Sequence, residues 1–183
     1  MIITLAGKVG SGKSTIGNFL AKELNMERYS MGDMRRKMAL ERGMTLAELN
    51  KLGEKEDWTD REVDEYQKKL AQKEDNFVID GRLSWFFIPN SIKIFVDVDP
   101  KVGAERVFLA KRGSERGYKS IEEAEMANKE RIESDIKRHK MLYKINPYEL
   151  KNYDIVIDTS EMTIEEMNKL ALKAVRTFID DQR

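Results

Sequence analysis

One run of eight residues near the start of the chain has the composition and spacing of a phosphate-binding loop. The run consists of Gly7, Lys8, Val9, Gly10, Ser11, Gly12, Lys13 and Ser14 and matches the pattern G-x-x-x-x-G-K-[ST]. Glycines let backbone N–H groups converge on phosphate oxygens without a Cβ clash, and the N-terminus of the following helix adds partial positive charge. In such a loop Lys13 reaches the β- and γ-phosphates, and the Ser14 hydroxyl ligates Mg²⁺. The motif predicts binding of ATP or GTP, against the plain alternative of a glycine-rich turn with an exposed lysine.

A second set of candidate residues follows the apolar run at residues 77–80. Asp80, Gly81 and Arg82 close this run, and α/β folds bind ligands at the carboxyl edge of the sheet, where such strands end. There Asp80 would orient a water on Mg²⁺, and Arg82 would hold the phosphate of a second substrate with two hydrogen bonds. The alternative is an ordinary Asp-Gly turn followed by a solvated arginine.

A polar stretch around residue 30 supplies a third set. Ser30 and Gly32 precede a helical pattern in which Arg36 would reach the same phosphate. Arg35 and Arg36 are equally compatible with a solvated helix face. This stretch therefore indicates a binding site only in combination with the phosphate loop.

The pattern from about residue 127 to residue 143 predicts a helix with a polar strip. At about 100° per residue, one arc carries Arg131, Ser134, Asp135 and Arg138, and an apolar stripe carries Ile132, Ile136 and Tyr143. The polar arc would face an anionic ligand, although Arg131 and Asp135 could equally form a surface ion pair at i,i+4 spacing. His139 is the only histidine and has no metal-spaced partner, so we expect a structural role for it.

Short β-branched runs that alternate with longer helical patterns must position these residues. The runs that predict strands are Ile2–Ala6, Arg28–Ser30, Phe77–Asp80, Ile92–Val98 and Tyr153–Asp158. Asp99 with Pro100, and a capping box over residues 163–166, predict the starts of two later helices. This alternation is typical of a parallel α/β sheet flanked by helices.

Two stretches interrupt the alternation. Residues 32–72 predict three short helices, the second and third beginning at capping boxes over residues 45–48 and 59–62, and we interpret them as a helical insert. Residues 111–119 contain two glycines and four cations, which predicts a basic flap between two helices.

The composition excludes several function classes. The chain has 183 residues, 40% of them hydrophobic, with 33 Lys and Arg, 33 Asp and Glu, and no cysteine. We expect one domain over residues 1–183 with a buried core. The balanced charge argues against a nucleic-acid-binding surface or a membrane anchor, and no apolar run approaches the roughly 18 residues that a membrane span needs. Without a secretory signal pattern or cysteines, we expect a cytoplasmic monomer that binds small nucleotides.

The rest of the chain discriminates among proteins that share a phosphate loop, which include kinases, GTPases and motor ATPases. A GTPase would need a base-recognition N-K-x-D stretch, and residues 168–171 read Asn-Lys-Leu-Ala without the aspartate. Small kinases need arginines for a second anionic substrate and a cover that excludes water. The helical insert and the basic flap would supply both, so the residues favour a small kinase.

In their order along the chain, these motifs resemble those of the nucleoside monophosphate (NMP) kinases, and most closely those of the short cytidylate kinases of archaea. The resemblance is carried by residues 7–15, residues 30–33 with Arg36, Asp60 and Asp64, residues 81–83, residues 131–138 and residues 153–160. It implies an α/β P-loop kinase fold with a five-stranded parallel sheet in the order 2-3-1-4-5, an NMP-binding insert at about 32–72 and a lid at about 111–125. It also implies transfer of a phosphoryl group from ATP with Mg²⁺ to an NMP, CMP or dCMP first among them.

Combined with the motif arguments above, the resemblance implies a complete set of site residues. Lys13, Arg82, Arg131 and Arg138 would be catalytic, and Ser14 and Asp80 would serve the metal. The ATP-binding residues would be those of the phosphate loop with Thr15, Arg112 and Thr159. The NMP-binding residues would be Ser30, Gly32, Arg36, Asp60, Asp64, Gly81, Arg82, Arg131, Asp135 and Arg138, with Asp135 on the ribose hydroxyls.

The chain also departs from the family pattern. Residues 84–87 read Ser-Trp-Phe-Phe where small residues usually precede an aromatic, His139 stands where a tyrosine is usual, and residues 146–148 read Asn-Pro-Tyr in place of an acidic stretch. The first two departures leave the accepted base open. The alternatives are another small P-loop kinase, such as an adenylate or dephospho-coenzyme A kinase, and a nucleotide-gated assembly factor with little turnover.

Overall fold

The computed structural model describes residues 1–110 and 117–182. These residues contain one sheet of five parallel strands in the order β2-β3-β1-β4-β5. The strands are β1 Ile2–Gly7, β2 Glu27–Ser30, β3 Phe77–Asp80, β4 Ile92–Asp97 and β5 Ile155–Asp158. The predicted fold and strand order are confirmed, and the strand boundaries differ from the sequence prediction by no more than two residues.

Helices cover both faces of this sheet because successive strand residues point to opposite sides. The helices are α1 Lys13–Glu23, α2 Met31–Glu41, α3 Leu46–Gly53, α4 Trp58–Lys73, α5 Ser84–Phe87, α6 Pro100–Leu109, α7 Ile121–Tyr143 and α8 Ile164–Asp181. In β3, Val78 packs in one core with α1 and α8, whereas Phe77 and Ile79 pack in another with α2, α3 and α4. Helices therefore pack on both faces of β3, the neighbour of the strand β1 that leads into the phosphate loop. Among the described residues, no helix combines the length and apolarity needed to cross a membrane.

Local capping fixes where several helices begin. Asp99 accepts hydrogen bonds from the backbone N–H groups of Lys101 and Val102 at the start of α6. Thr45 and Thr163 form complete capping boxes at the starts of α3 and α8. These three predicted helix starts are confirmed.

The capping box predicted over residues 59–62 is wrong. The helix α4 begins at Trp58, and the buried hydroxyl of Thr59 accepts from Arg35 Nη2 at 3.4 Å instead of capping a helix. At the other end of the expected box, Glu62 pairs with Arg42 at 3.2 Å. Arginines from elsewhere in the fold thus engage both residues, a contact that local sequence does not reveal.

The helix predicted from about residue 127 begins earlier, at Ile121. Ser120 caps it by accepting from the Glu123 backbone N–H at 3.2 Å, and the Glu123 carboxylate accepts from the Lys119 N–H at 2.5 Å. Residues 121–125, which the lid was expected to include, are therefore the first turn of α7. The rest of the predicted flap, residues 111–116, lies outside the described residues.

Candidate active site

The phosphate loop forms the turn between β1 and α1. Gly7, Gly10 and Gly12 have φ angles of 148°, 79° and 85°, a region that favours glycine. A Cβ on Gly7 would lie 2.0 Å from the carbonyl oxygen of Val96, and one on Gly10 would lie 2.2 Å from that of Gly103. The loop therefore passes β4 and α6 too closely for any side chain. It ends at the N-terminus of α1, where free backbone N–H groups favour an anion.

Thr159, which follows β5, hydrogen-bonds to the backbone of this loop. Its side chain is fully buried, and its hydroxyl lies 3.0 Å from the Ser11 carbonyl oxygen as a hydrogen-bond donor. Arg106 donates to the Thr159 hydroxyl at 3.0 Å and to the Thr159 carbonyl oxygen at 2.7 Å. Thr159 and Arg106 thus connect β5 and α6 to the loop backbone. The sequence offered no signal for Arg106, because its partner lies 53 residues away on another element.

Lys13 and Ser14 are the first two residues of α1, and their side chains contact two sides of the phosphate loop's surroundings: the loop backbone and the end of β3. Lys13 Nζ donates to the Lys8 carbonyl oxygen at 3.3 Å, and Ser14 Oγ donates to Asp80 Oδ2 at 3.2 Å. The same carboxylate oxygen lies 3.5 Å from Arg28 Nη2. A hydroxyl with a carboxylate oxygen suits Mg²⁺, which takes few protein ligands and keeps several waters. The Ser14–Asp80 pair therefore fits a Mg²⁺ site, whereas no cluster of three or more His, Cys, Asp or Glu side chains among the described residues could hold a metal.

A cleft of about 490 Å³ extends from the phosphate loop between the insert helices and α7. Fifteen of the predicted site residues line it, including every predicted NMP-binding residue: Val9, Gly10, Lys13, Ser14, Ser30, Gly32, Arg36, Asp60, Asp64, Asp80, Gly81, Arg82, Arg131, Asp135 and Arg138. The predicted residues that do not line it are Gly7, Lys8, Ser11, Gly12, Thr15 and Thr159. Arg112 lies outside the described residues.

The charge of the cleft favours an anionic ligand. Its lining carries seven lysines and arginines against five aspartates. Lys13, Arg28, Arg36 and Arg131 line the cleft in addition to Arg35, Arg82 and Arg138, whose ion pairs are described below. A phosphate group entering the cleft would therefore find donors on both of its walls.

Asp135 forms the centre of a buried charge cluster and is only 3% exposed. Its Oδ2 accepts from Arg82 Nε at 2.7 Å and from the Tyr148 hydroxyl at 2.9 Å, and its Oδ1 accepts from Arg138 Nη2 at 2.5 Å. Burial alone would raise the pKa of Asp135, but the guanidinium groups of Arg82 and Arg138 hold it well below its usual range. Asp135 is therefore ionised at neutral pH. A solvated surface pair with Arg131 is excluded by this burial.

Arg35 belongs to the interior of the site, so the solvated-face alternative does not apply to it. It donates to Asn50 Oδ1 at 2.8 Å, to the Thr59 carbonyl oxygen at 2.7 Å and to Asp60 Oδ1 at 3.2 Å. Burial, with the nearby charge of Arg138, lowers the pKa of Arg35 to about 10. Arg138 donates to the same Asp60 oxygen. The side chain of Arg138 is therefore held by Asp60 of α4 and by Asp135 of its own helix, α7.

The first turn of α2 forms the opposite edge of the cleft. Ser30 is the N-cap of α2, and its hydroxyl accepts from the Asp33 backbone N–H at 3.1 Å. Arg36 pairs with the Asp33 carboxylate and keeps 28% of its side chain exposed. Arg36 thus remains accessible to a ligand, in contrast with Arg35.

Two further titratable groups of the cleft are buried. Asp64 accepts from the Tyr143 hydroxyl at 2.6 Å and from Gln67 Nε2 at 3.0 Å, and burial raises its pKa to about 6. Burial lowers the pKa of His139 to about 4, so the imidazole is neutral at pH 7. Within residues 1–110 and 117–182, His139 Nδ1 has no hydrogen-bond partner, and Nε2 lies 3.9 Å from Asp60 Oδ1.

Sequence reasoning assigned no site role to several further residues that the structure places in or beside the cleft, among them Arg28, Arg35 and Tyr148. Arg28 and Arg35 line the cleft, and Tyr148 contacts Arg82 and Asp135 from behind. Arg35 was visible next to Arg36, yet its neighbour Asn50 belongs to another helix. Only the packed insert shows that Arg35 is the less accessible arginine of this pair.

The fold and the loop define the class to which the chain belongs. Shikimate kinase from Aquifex aeolicus superimposes with a TM-score of 0.60 at 22% sequence identity, covering 96% of each chain. At that identity the likeness concerns the fold alone, and it is the fold of P-loop kinases.

The sequence comparison is more specific. The model of the cytidylate kinase-like family matches residues 2–161. A cytidylate kinase of Pyrococcus abyssi is 39% identical over 176 residues, covering 96% of this chain and 93% of the relative. A cytidylate kinase of Natronomonas pharaonis is 33% identical over 183 residues, covering 99% of this chain and 92% of the relative. The chain belongs to the cytidylate kinase-like family, and the predicted family is confirmed.

Proposed function

We propose that the protein transfers the γ-phosphoryl group of ATP, in the presence of Mg²⁺, to the phosphate of a nucleoside monophosphate, preferably CMP or dCMP. The observation that carries this proposal is the single cleft that joins the phosphate loop to an arginine-rich end. Lys13 and Ser14 line one end, and Arg36, Arg82, Arg131 and Arg138 line the rest. The cytidylate kinase relatives, which match over nearly their whole length, support the same assignment.

The reaction requires no side-chain nucleophile. An oxygen of the acceptor phosphate attacks the γ-phosphorus in line, a new P–O bond forms, and the bond from the γ-phosphorus to the β–γ bridging oxygen breaks to release ADP. Negative charge spreads over the equatorial oxygens during the transfer, so fixed cations near them lower the barrier. Lys13 would supply one such cation from the ATP side, and Arg82 and Arg131 would supply others from the acceptor side.

Ser14 and Asp80 would hold Mg²⁺, directly and through a bound water. When bound, Mg²⁺ neutralises charge on the β- and γ-phosphates. Asp80 already accepts from Ser14 Oγ at 3.2 Å, which orients that hydroxyl at the end of the loop. Thr15 and the remaining loop residues would contribute the phosphate cradle through their backbone.

The acceptor would bind between α2, α4 and α7. Ser30, Gly32, Gly81, Arg36 and Arg82 would bind its phosphate at the sheet edge, and Asp135 would meet the ribose hydroxyls. Asp60 and Asp64 lie in the same cleft on α4 and give it a polar wall. A polar wall rejects a base that leaves its buried groups unpaired more strongly than an apolar pocket can, which supports selection of one base.

A panel of acceptors tests this function. Steady-state kcat/KM is measured for CMP, dCMP, UMP, AMP and GMP at fixed ATP and Mg²⁺, with dephospho-coenzyme A as a further acceptor. We expect CMP or dCMP to exceed AMP and GMP by at least about tenfold. AMP or dephospho-coenzyme A as the best acceptor would replace the cytidylate assignment with another kinase. ATP binding without acceptor-stimulated ADP release would overturn the kinase and favour a nucleotide-gated assembly factor.

A further inference from the structure

The segment between α7 and β5 contains the Asn-Pro-Tyr sequence at residues 146–148, which the proposed function does not use. Several contacts fix this segment in one conformation. The Tyr148 backbone N–H donates to Asn146 Oδ1 at 3.0 Å, and the buried Tyr153 hydroxyl donates to the Pro147 carbonyl oxygen at 2.5 Å. The ring of Tyr148 also meets Phe95 of β4 edge to face, with 6.3 Å between the ring centroids. Tyr148 is therefore held by the sheet and by its own loop.

From this position Tyr148 reaches both members of the Arg82–Asp135 ion pair. Its hydroxyl donates to Asp135 Oδ2 at 2.9 Å, the same oxygen that accepts from Arg82 Nε at 2.7 Å. The Arg82 guanidinium carbon lies 5.8 Å from the centroid of the Tyr148 ring, within the range of a cation–π contact. One side chain thus restrains the carboxylate and the guanidinium together.

Arg82 is the residue whose orientation matters most here. Its Nη1 donates to the Gly7 carbonyl oxygen at 3.0 Å, so the same guanidinium connects the phosphate loop to Asp135. The contacts with Gly7, Asp135 and Tyr148 engage Nε, Nη1 and the guanidinium face, and among the described residues nothing hydrogen-bonds to Nη2. A rigidly held arginine with a spare donor edge loses little conformational freedom when it binds a phosphate.

We propose that Tyr148 is a positioning residue that fixes Arg82 for the acceptor phosphate, acting through its hydroxyl on Asp135, the ion-pair partner of Arg82, and through its ring against Arg82. This inference rests on the proposed function. It assigns a task to the Asn-Pro-Tyr segment at residues 146–148. Tyr148 does not line the cleft, so its effect on transfer passes through the two residues that do.

Tyr148→Phe tests the hydroxyl, because it keeps the ring and removes one hydrogen bond to a carboxylate. We expect kcat/KM for the acceptor to fall about tenfold, the size of one charge-assisted hydrogen bond, with KM for ATP within about twofold of the parent. Tyr148→Leu, which also removes the ring, is expected to lose more. Tyr29→Phe is the matched control, because Tyr29 donates to the Glu74 carboxylate at 2.8 Å and neither residue lines the cleft; its kinetics should equal those of the parent.

A double-mutant cycle separates positioning from general support of the fold. In an Arg82→Lys background, which keeps the charge and loses the planar fork, Tyr148→Phe should reduce kcat/KM by no more than about twofold. Parent-like kinetics of Tyr148→Phe, or a loss fully additive with Arg82→Lys, would overturn the positioning role while the proposed function stands. An inactive parent enzyme would overturn both the positioning role and the proposed function. The contact itself can also be tested without substrates, from the free energies of unfolding of Tyr148→Phe, Asp135→Asn and the double variant. We expect a non-zero coupling energy between the two substitutions.

Discussion

The two ends of the cleft are built in different ways. The phosphate-loop end is made of backbone, since Gly7 and Gly10 pass β4 and α6 without room for a Cβ. The other end, where we propose that the acceptor binds, is made of buried side-chain charges, with Asp60 and Asp135 paired to arginines from several elements. A backbone site depends on a short run of sequence, whereas a charge cluster depends on distant elements packing together. Substitutions at the phosphate-loop end should therefore affect ATP binding and phosphoryl transfer, and substitutions at the other end should mainly affect use of the acceptor.

The largest effect is expected for Lys13→Ala at the phosphate-loop end. It removes the cation that we propose to lie nearest to the migrating phosphoryl group and leaves the core packing intact, so kcat should fall by about a thousandfold. Lys22→Ala is a matched control, because Lys22 lies exposed near the end of the same helix. Steady-state kinetics and thermal unfolding of both variants check this prediction. A kcat for Lys13→Ala within a few-fold of the parent would contradict it.

A pair of glycine substitutions tests whether close approach, and not only the φ angle, determines the loop. Gly10 and Gly43 both have positive φ angles, 79° and 68°, but only a Cβ on Gly10 meets backbone, at 2.2 Å. Gly43→Ala should cost about 1 kcal/mol of unfolding free energy and leave ATP binding unchanged. Gly10→Ala should cost about 3 kcal/mol and weaken ATP binding by at least about a hundredfold. Denaturant titration and calorimetry measure the two quantities, and equal losses in both variants would refute the close-approach argument.

At the acceptor end, Arg82→Ala should damage acceptor use more than ATP use. It removes the proposed donor to the acceptor phosphate and leaves Asp135 with Arg138 and Tyr148, so kcat/KM for the acceptor should fall by about a hundredfold. Arg42→Ala is the control, because Arg42 forms a surface pair with Glu62 outside the cleft. The kinetics are measured by varying each substrate in turn. An equal rise of both KM values would show that Arg82 does not distinguish the two ends.

Smaller effects with opposite signs are expected from the buried titratable groups His139 and Asp64. Because burial lowers the pKa of His139 to about 4, the unfolded chain binds a proton that the folded chain rejects, and stability falls as the pH drops from about 6.5 toward 4. Because burial raises the pKa of Asp64 to about 6, the folded chain holds the extra proton between about pH 4 and 6, and stability rises there as the pH drops.

Paired variants isolate these contributions. The quantity to compare is the free energy of unfolding of each variant minus that of the parent. For His139→Gln this difference should be more positive at pH 5 than at pH 7.5. For Asp64→Asn it should be more negative at pH 5 than at pH 7.5. Each change should be on the order of 2 kcal/mol or less. Denaturant unfolding at the two pH values measures both, and shifts of the same sign would contradict the assignment.

Sequence alone predicted the parts of the molecule that local chemistry determines. The strand order followed from the family resemblance, and the strands and the phosphate loop followed from apolar runs and glycine spacing within a few residues of each other. The caps at Asp99, Thr45 and Thr163 also depend only on neighbouring residues. The caps in particular are predictable because their hydrogen-bond partners are close in sequence.

The features that sequence could not predict depend on distant partners. Thr59 has the spacing of a helix cap, yet Arg35 engages its hydroxyl once α2 packs on α4. Arg35 and Arg36 are adjacent, and only packing makes the side chain of Arg35, 11% exposed, less accessible than that of Arg36, 28% exposed. Tyr148 contacts Asp135, which lies 13 residues earlier in the sequence, and Arg82, which follows β3. Such contacts arise from the whole fold, so no local pattern marks them.

Separate binding measurements of ATP and CMP test the central claim, that one end of the cleft binds ATP and the other binds the acceptor. Calorimetry is carried out on the parent, Gly10→Ala and Arg82→Ala, each with ATP plus Mg²⁺ and, separately, with CMP. The account predicts a crossover, in which Gly10→Ala loses ATP affinity and keeps CMP affinity, and Arg82→Ala does the reverse. Loss of both affinities in both folded variants would contradict the division of the cleft into two ends.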